Sequence, residues 1–269
     1  MVDISVFIKS GWKIIWKQRI IWLFSAILSF GHLILSFQNK QTNWLASILF
    51  VSVVLFLYIS LSLVSVIGVP YIAYNFSAGK FVTIPEVLFA ARKYLWRVIG
   101  LSCIGVILST PLLFGVLFIS GNNAMRTFQI SDKAALLLIP LSLFNALWYF
   151  TLFGFFANNW SVWQSIKNAW ALFTARFSIL ATLGITLAII STAYDIVIKI
   201  LTTLTQSGFN VTSLIAINYF PSMYASKNTL VMLLNGIGGV IFTTFTVSVF
   251  ALAYLKYSKA KTPSVSSQR

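Results

Sequence analysis

Six long apolar runs alternate with shorter polar connections along the chain, at residues 20–37, 44–67, 98–119, 134–157, 177–203 and 229–255. Each is close to the roughly 20 residues that an α-helix needs to cross the hydrocarbon layer of a bilayer. Two of the connections carry a pattern of their own. After Ser161, apolar groups recur at Val162, Ile166, Ala169, Trp170, Phe173 and Phe177, while Gln164, Lys167 and Asn168 fall between them. After Thr83, the apolar positions are Ile84, Val87, Leu88, Ala91 and Leu95, set against Glu86, Lys93 and Arg97. Both spacings predict a helix with one apolar face. Both stretches also begin with a hydroxyl residue followed three positions later by an acid or amide, in Thr83-Ile84-Pro85-Glu86 and Ser161-Val162-Trp163-Gln164. In such a capping box the hydroxyl accepts from an early helix N–H and the longer side chain reaches back to the cap N–H.

The opening stretch fits as a third, more diverged copy. Lys9, Lys13 and Lys17 step by four along one face, and Ile4, Phe7, Ile8, Gly11 and Ile15 occupy another. Trp12 followed by Arg19 echoes Trp170 followed by Arg176. It has no capping box, so Asp3 or Ser5 is left to cap it. A secretory leader fits less well, because the following apolar run ends in Phe37-Gln38-Asn39-Lys40 without a small-residue cleavage site. The predicted fold is all-α: a polytopic membrane protein of six transmembrane helices and three cytoplasmic-side amphipathic helices. These form three repeated units, roughly 3–75, 76–157 and 158–255, in a single membrane domain of residues 1–255. A disordered basic tail at 256–269 follows. The plainer reading is that the amphipathic stretches are the polar ends of long tilted helices.

Composition agrees with a lipid environment. Of 269 residues, 59% are hydrophobic and 9% charged, with a mean hydropathy of +0.91. A soluble domain carries about 25% charged residues. The net charge of +15 changes the picture further. Fourteen of the 19 lysines and arginines flank the N-terminus, the 68–97 and 158–176 connections, or the C-terminus. Cations concentrate in cytoplasmic loops, so both termini are expected there. Their position beside apolar runs points to anionic lipid headgroups and away from nucleic acid. The expected interfacial residues are Lys9, Trp12, Lys13, Trp16, Lys17 and Arg19 in the first unit, and Arg92, Lys93, Trp96 and Arg97 in the second. In the third they are Lys167, Trp170 and Arg176.

Ionisable residues inside spans are costly and are functional candidates for that reason. His32 lies in the first span; Asp195 and Lys199 lie four apart in the fifth, an order that suits an intrahelical pair. One histidine and one cysteine, Cys103, provide no multi-histidine or cysteine metal site, and Cys103 reads as a buried, inert thiol. Neither a G-x-S-x-G elbow nor a phosphate-binding G-x-x-x-x-G-K-[ST] loop occurs, so no enzyme activity and no cofactor are expected. Gly68-Val69-Pro70 is expected to end the second span, and Pro111 and Pro140 to interrupt the third and fourth. Asn235-Gly236-Ile237-Gly238-Gly239 is expected to loosen the sixth. Such irregularities serve close helix packing or, less often, a transport site. Residues 204–228 predict an outer-face interfacial segment, and their Asn210-Val211-Thr212 match to a glycosylation sequon is weak.

The capped amphipathic helices, each leading through a Trp- and Arg-bearing entry into a pair of spans, resemble a group of bacterial six-span proteins. The group includes the membrane domain attached to some glycerophosphodiester phosphodiesterases and many stand-alone inner-membrane proteins. The resemblance covers most of residues 4–255 and rests on short motifs. It implies the fold and a place in a bacterial inner membrane. It does not imply phosphodiesterase activity, because catalysis in the fused members belongs to a soluble barrel that this sequence lacks. The expected role is a non-enzymatic one, organising the membrane or binding lipid or a membrane-protein partner. A small-molecule transporter or permease subunit, with His32, Asp195 and Lys199 near its path, is the alternative.

Overall fold

A computed structural model describes residues 4–36, 44–120, 138–205 and 229–259 of the chain. Among these residues the protein is entirely helical, with eight helices. They are α1 (Ile4–Lys17), α2 (Ile20–Ser36), α3 (Trp44–Ser77), α4 (Ile84–Ser120), α5 (Leu138–Asn158), α6 (Val162–Ala175), α7 (Phe177–Thr205) and α8 (Thr229–Lys259). Two segments are long and apolar enough to cross a membrane, Leu55–Ser77 in α3 and Gly236–Ser258 in α8. A third is added if α6 and the start of α7, which meet at 94°, are counted as one bent span.

The helix starts follow from their caps. Ser161 Oγ accepts from the Gln164 N–H at 3.4 Å, and Gln164 Oε1 accepts from the Ser161 N–H at 3.2 Å, completing the capping box at α6. At α4 only the reciprocal half forms: Glu86 Oε2 accepts from the Thr83 N–H at 2.7 Å and from its hydroxyl at 3.0 Å. α3 ends where Gly79, at φ +85°, turns the chain and lets the Lys80 N–H reach the Asn75 carbonyl at 2.9 Å. Only a residue without a Cβ adopts that conformation cheaply.

The core lies toward the end of the bundle that carries α1 and α6. It joins Ile21 and Phe24 of α2, Val69 and Ile72 of α3, Phe150 and Phe153 of α5, Leu180 and Leu183 of α7, and Phe250 and Tyr254 of α8. Aromatic rings knit it: Phe153 and Tyr254 have centroids 5.6 Å apart, and Tyr149 and Phe250 5.8 Å. A second cluster, with Ile67, Ala91, Tyr94, Leu152 and Phe155, fills the junction of α3, α4 and α5. Toward the other end the helices expose apolar groups, among them Phe56, Ile59, Ile107, Ile189 and Leu233. Cys103 is also exposed, contrary to the buried thiol expected.

Three features differ from the sequence expectation. Pro70 and Pro111 lie inside continuous helices, α3 and α4; the fully buried neighbours Val69 and Ile72 hold α3 in place across the missing N–H. Pro140 likewise lies within α5. The second amphipathic stretch is no separate element either. α4 runs unbroken for 37 residues, about 55 Å at 1.5 Å per residue. It packs lengthwise from Ala90 to Leu101 in the second cluster, whereas α1 and α6 break away from the helices that follow them.

α1 is held against α8 by shape. A Cβ on Gly11 would stand 2.6 Å from Val249 Cγ2, and the Trp12 ring meets Phe245 edge-on at 5.9 Å. Gly11→Leu is therefore expected to lower stability in detergent by about 1–3 kcal/mol, with part of the loss recovered by adding Val249→Ala. A melting temperature unchanged by the single substitution would remove Gly11 from the list of close contacts. The Glu86 carboxyl is held below its ordinary value by the Thr83 N–H and then by the Thr83 hydroxyl. A lowered carboxyl pKa stabilises the fold above the unfolded value, and that contribution disappears as pH falls through the folded value. Hydrogen exchange at the start of α4 is expected to accelerate in acid for the native chain, and to be pH-insensitive beyond the intrinsic rate in Glu86→Gln.

Candidate interfacial site at one end of the bundle

Helix breaks leave backbone amides and carbonyls without partners, and at this end long polar side chains take them up. Between α1 and α2, the buried Gln18 donates through Nε2 to the Val82 carbonyl at 2.9 Å, tying that corner to the connection before α4. Trp22 Nε1 donates to the Ile15 carbonyl at 2.8 Å across the same corner. Between α5 and α6, Asn159 adopts φ +53°, a left-handed conformation that asparagine tolerates better than most residues. Arg97 Nη1 donates to the Asn159 and Trp160 carbonyls, each at 3.0 Å, and to Asn159 Oδ1 at 2.9 Å. At the α6–α7 corner the Arg176 N–H returns to the Phe173 carbonyl at 3.3 Å, and the guanidinium lies 5.7 Å from the Tyr257 ring centre. Lys256 covers the Phe7 ring at 5.1 Å, joining the end of α8 to α1.

These ties fix which faces point outward. On α1, Phe7, Gly11, Ile14 and Ile15 are buried, while Lys9, Trp12, Lys13, Trp16 and Lys17, and Arg19 beyond it, are exposed. Arg92, Lys93 and Trp96 are exposed on α4, with Trp96 78% accessible. Lys167, Trp170 and Arg176 are exposed on α6 and at its end. Arg97 does not belong with them, because the Asn159 turn occupies it. The expected apolar stripes are also displaced. Ile84, Leu88, Trp170 and Phe177 are exposed, and Tyr94, Val98, Ser165 and Leu172 are buried in their place. The buried faces of α1 and α6 meet α8 and α5.

Three aromatic residues join the exposed set without having been expected: Phe81, Phe89 and Trp163, the last 72% accessible. Trp163 stands inside the Ser161 capping box, so its place on the first turn was available from the sequence. Five exposed tryptophans, Trp12, Trp16, Trp96, Trp163 and Trp170, thus alternate with exposed cations on three helices at this end. Aromatic rings with a polar edge prefer the headgroup level of a bilayer, and lysine and arginine add attraction to anionic lipid.

The intramembrane candidates lie on two helices. His32 lies on α2, and Asp195 and Lys199 lie on α7; their side chains fall outside the described residues, as do Asp3, residues 206–228 with the sequon, and the tail after Lys259. The glycines of the sixth apolar run are packing contacts. The Tyr194 ring lies directly on Gly238, and its hydroxyl donates to the Leu234 carbonyl at 2.6 Å. Gly239 faces Ser29, and the Ser25 and Thr244 hydroxyls are hydrogen-bonded at 2.7 Å between α2 and α8. No group of three or more metal-ligating side chains occurs among the described residues. No family model, curated protein or solved structure matches the chain.

Arg97→Gln is expected to cost about 1.5–3 kcal/mol, the range for hydrogen bonds to a charged donor. The loss is to be read as a lower unfolding temperature and faster hydrogen exchange at 159–161. Arg97→Gln with native-like exchange there would show that the α5–α6 turn holds without it.

Proposed function

We propose that this protein is an integral membrane protein that engages anionic lipid at one end of its helix bundle and organises the surrounding bilayer without catalysing a reaction. Support comes first from the collar of exposed tryptophans interleaved with lysines and arginines, the observation on which the reading rests. In this reading the chain crosses the bilayer six times. α1 and α6 lie at the cytoplasmic headgroup level, both termini are cytoplasmic, and the three units derive from one repeated pattern, in which the amphipathic stretch of the second unit is continuous with its span. The setting is a bacterial inner membrane. The all-helical architecture and the two or three segments long and apolar enough to span support a membrane location. A membrane-protein partner would meet the same collar or the exposed apolar ends of the helices.

The test replaces Lys9, Lys13 and Lys17 with glutamine in the full chain, reconstituted in nanodiscs of mixed phosphatidylglycerol and phosphatidylcholine. Each lysine near an anionic surface contributes about 1 kcal/mol. The native protein should enrich phosphatidylglycerol in a salt-sensitive way, and the triple variant should lose most of that enrichment. Equal lipid enrichment by both proteins would refute the role of the collar. Cysteine labelling that places the two termini in different compartments would refute the six-span arrangement.

A further inference from the structure

Among the described residues, the buried polar side chains are serines and threonines with one exception, Gln18, which is long enough to leave its own helix. Gln18 is 4% accessible. Its Nε2 donates to the Val82 carbonyl at 2.9 Å, the one hydrogen bond that this carbonyl makes among the described residues. Gln18 also closes both helices that it joins. Its N–H donates to the Ile14 carbonyl at 3.0 Å, ending α1, and its carbonyl accepts from the Ile21 N–H at 3.2 Å, opening α2. On the other side of the bond, Val82 directly precedes Thr83, whose carbonyl accepts from the Val87 N–H at 3.1 Å in the first turn of α4. Val87 is fully buried, and a Cβ on Gly68 would stand 2.8 Å from its Cγ1 and 3.3 Å from the Phe24 ring. One buried hydrogen bond thus links the α1–α2 corner to the start of α4, where α2 and α3 leave no slack.

We infer that Gln18 is a positioning residue that couples the docking of α1 to the ordering of the start of α4, so that lipid held by α1 is sensed there. Lifting α1 from α8 carries Gln18 away and leaves the Val82 carbonyl buried without a donor, which is costly. A ligand that holds α1 docked opposes that opening by mass action, and the bond passes the effect to Val82 and Thr83. Anionic lipid on Lys9, Lys13 and Lys17 is that ligand in the proposed function, on which the lipid part of the inference rests; the tie itself does not depend on it. The tie positions two exposed aromatic residues, Phe81 and Phe89, 74% and 71% accessible. The bond from Trp22 Nε1 to the Ile15 carbonyl stays within the α1–α2 corner and carries nothing across.

Hydrogen exchange of the full chain, read by mass spectrometry at residues 82–90, tests the coupling. In detergent, Gly11→Leu, which crowds α1 against Val249, should speed exchange there about fivefold, the worth of one neutral hydrogen bond. Gln18→Met and the shorter Gln18→Asn should each do so alone by a similar factor. Adding Gly11→Leu to either should then change exchange by less than about twofold, because coupled sites are not additive. Trp22→Phe should leave the response to Gly11→Leu intact. In nanodiscs, phosphatidylglycerol should slow exchange at 82–90 about fivefold relative to phosphatidylcholine alone, and by less than about twofold in the Gln18 variants. Exchange at 82–90 unchanged by Gly11→Leu while residues 7–16 exchange faster would overturn the tie. So would a full response that survives both Gln18 substitutions. A tie that holds in detergent, with no effect of phosphatidylglycerol at 82–90 in discs that the chain does enrich, would overturn the sensing and leave the collar standing. A chain that enriches no phosphatidylglycerol would sink the collar and the sensing together, and the detergent result would then decide the tie alone.

Discussion

Backbone amides and carbonyls cannot be left bare in a low-dielectric surrounding, and this requirement shapes the end of the bundle where the helices break. Continuous helices satisfy their own backbone. Each corner adds groups that need partners. Gln18, Trp22, Arg97 and the Ser161–Gln164 box supply them from side chains, across sequence gaps as long as 64 residues in the case of Gln18 and Val82. Each bond is worth little alone. Together they set how α1, α4 and α6 sit against the rest.

Once the corners are fixed, the faces of the short helices are fixed too. Gly11 against Val249 brings α1 close to α8, and Trp12 then has room only at the edge of Phe245, half in contact and half exposed. The same geometry turns Lys9, Lys13 and Lys17 outward. The aromatic core formed by Phe150, Phe153, Phe250 and Tyr254 lies beside these corners, so the best-packed part of the bundle is also the part that presents cations and tryptophans. Farther along α3, α4, α7 and α8, apolar side chains point outward. Lipid tails rather than neighbouring helices are the natural partners for them.

Much of the helical framework was legible from the spacing of apolar residues. The apolar runs at 20–37 and 177–203 correspond closely to α2 and α7, and the capping box at Ser161 forms as its four residues predict. Prolines misled, because a local rule ends a helix at Pro70 while packing around Val69 and Ile72 carries it on to Ser77. Similar polar-to-apolar transitions at 97–98 and 176–177 gave one continuous helix and one right-angled joint. Nothing local separates them: α4 lies along α3, and α6 lies across the bundle against α5. The displaced stripe on α6 has the same origin, since close contact with Gly154 draws in Ser165 and leaves Trp170 outside.

The sequence by itself determined the helical class, the affinity for an apolar medium and the clustering of positive charge, because these depend on residue type and period alone. It also marked where two helices begin, since a cap is a contact over three residues. Tertiary structure decided which cations are committed and which are available: Arg97 closes a turn 62 residues away, while Arg176, exposed at its corner, lies over the Tyr257 ring. It decided, too, that Phe7 and Ile15 of α1 and Ala169 and Phe173 of α6 are covered by protein. Those outcomes depend on distances between residues far apart in the chain, which only the packed bundle sets.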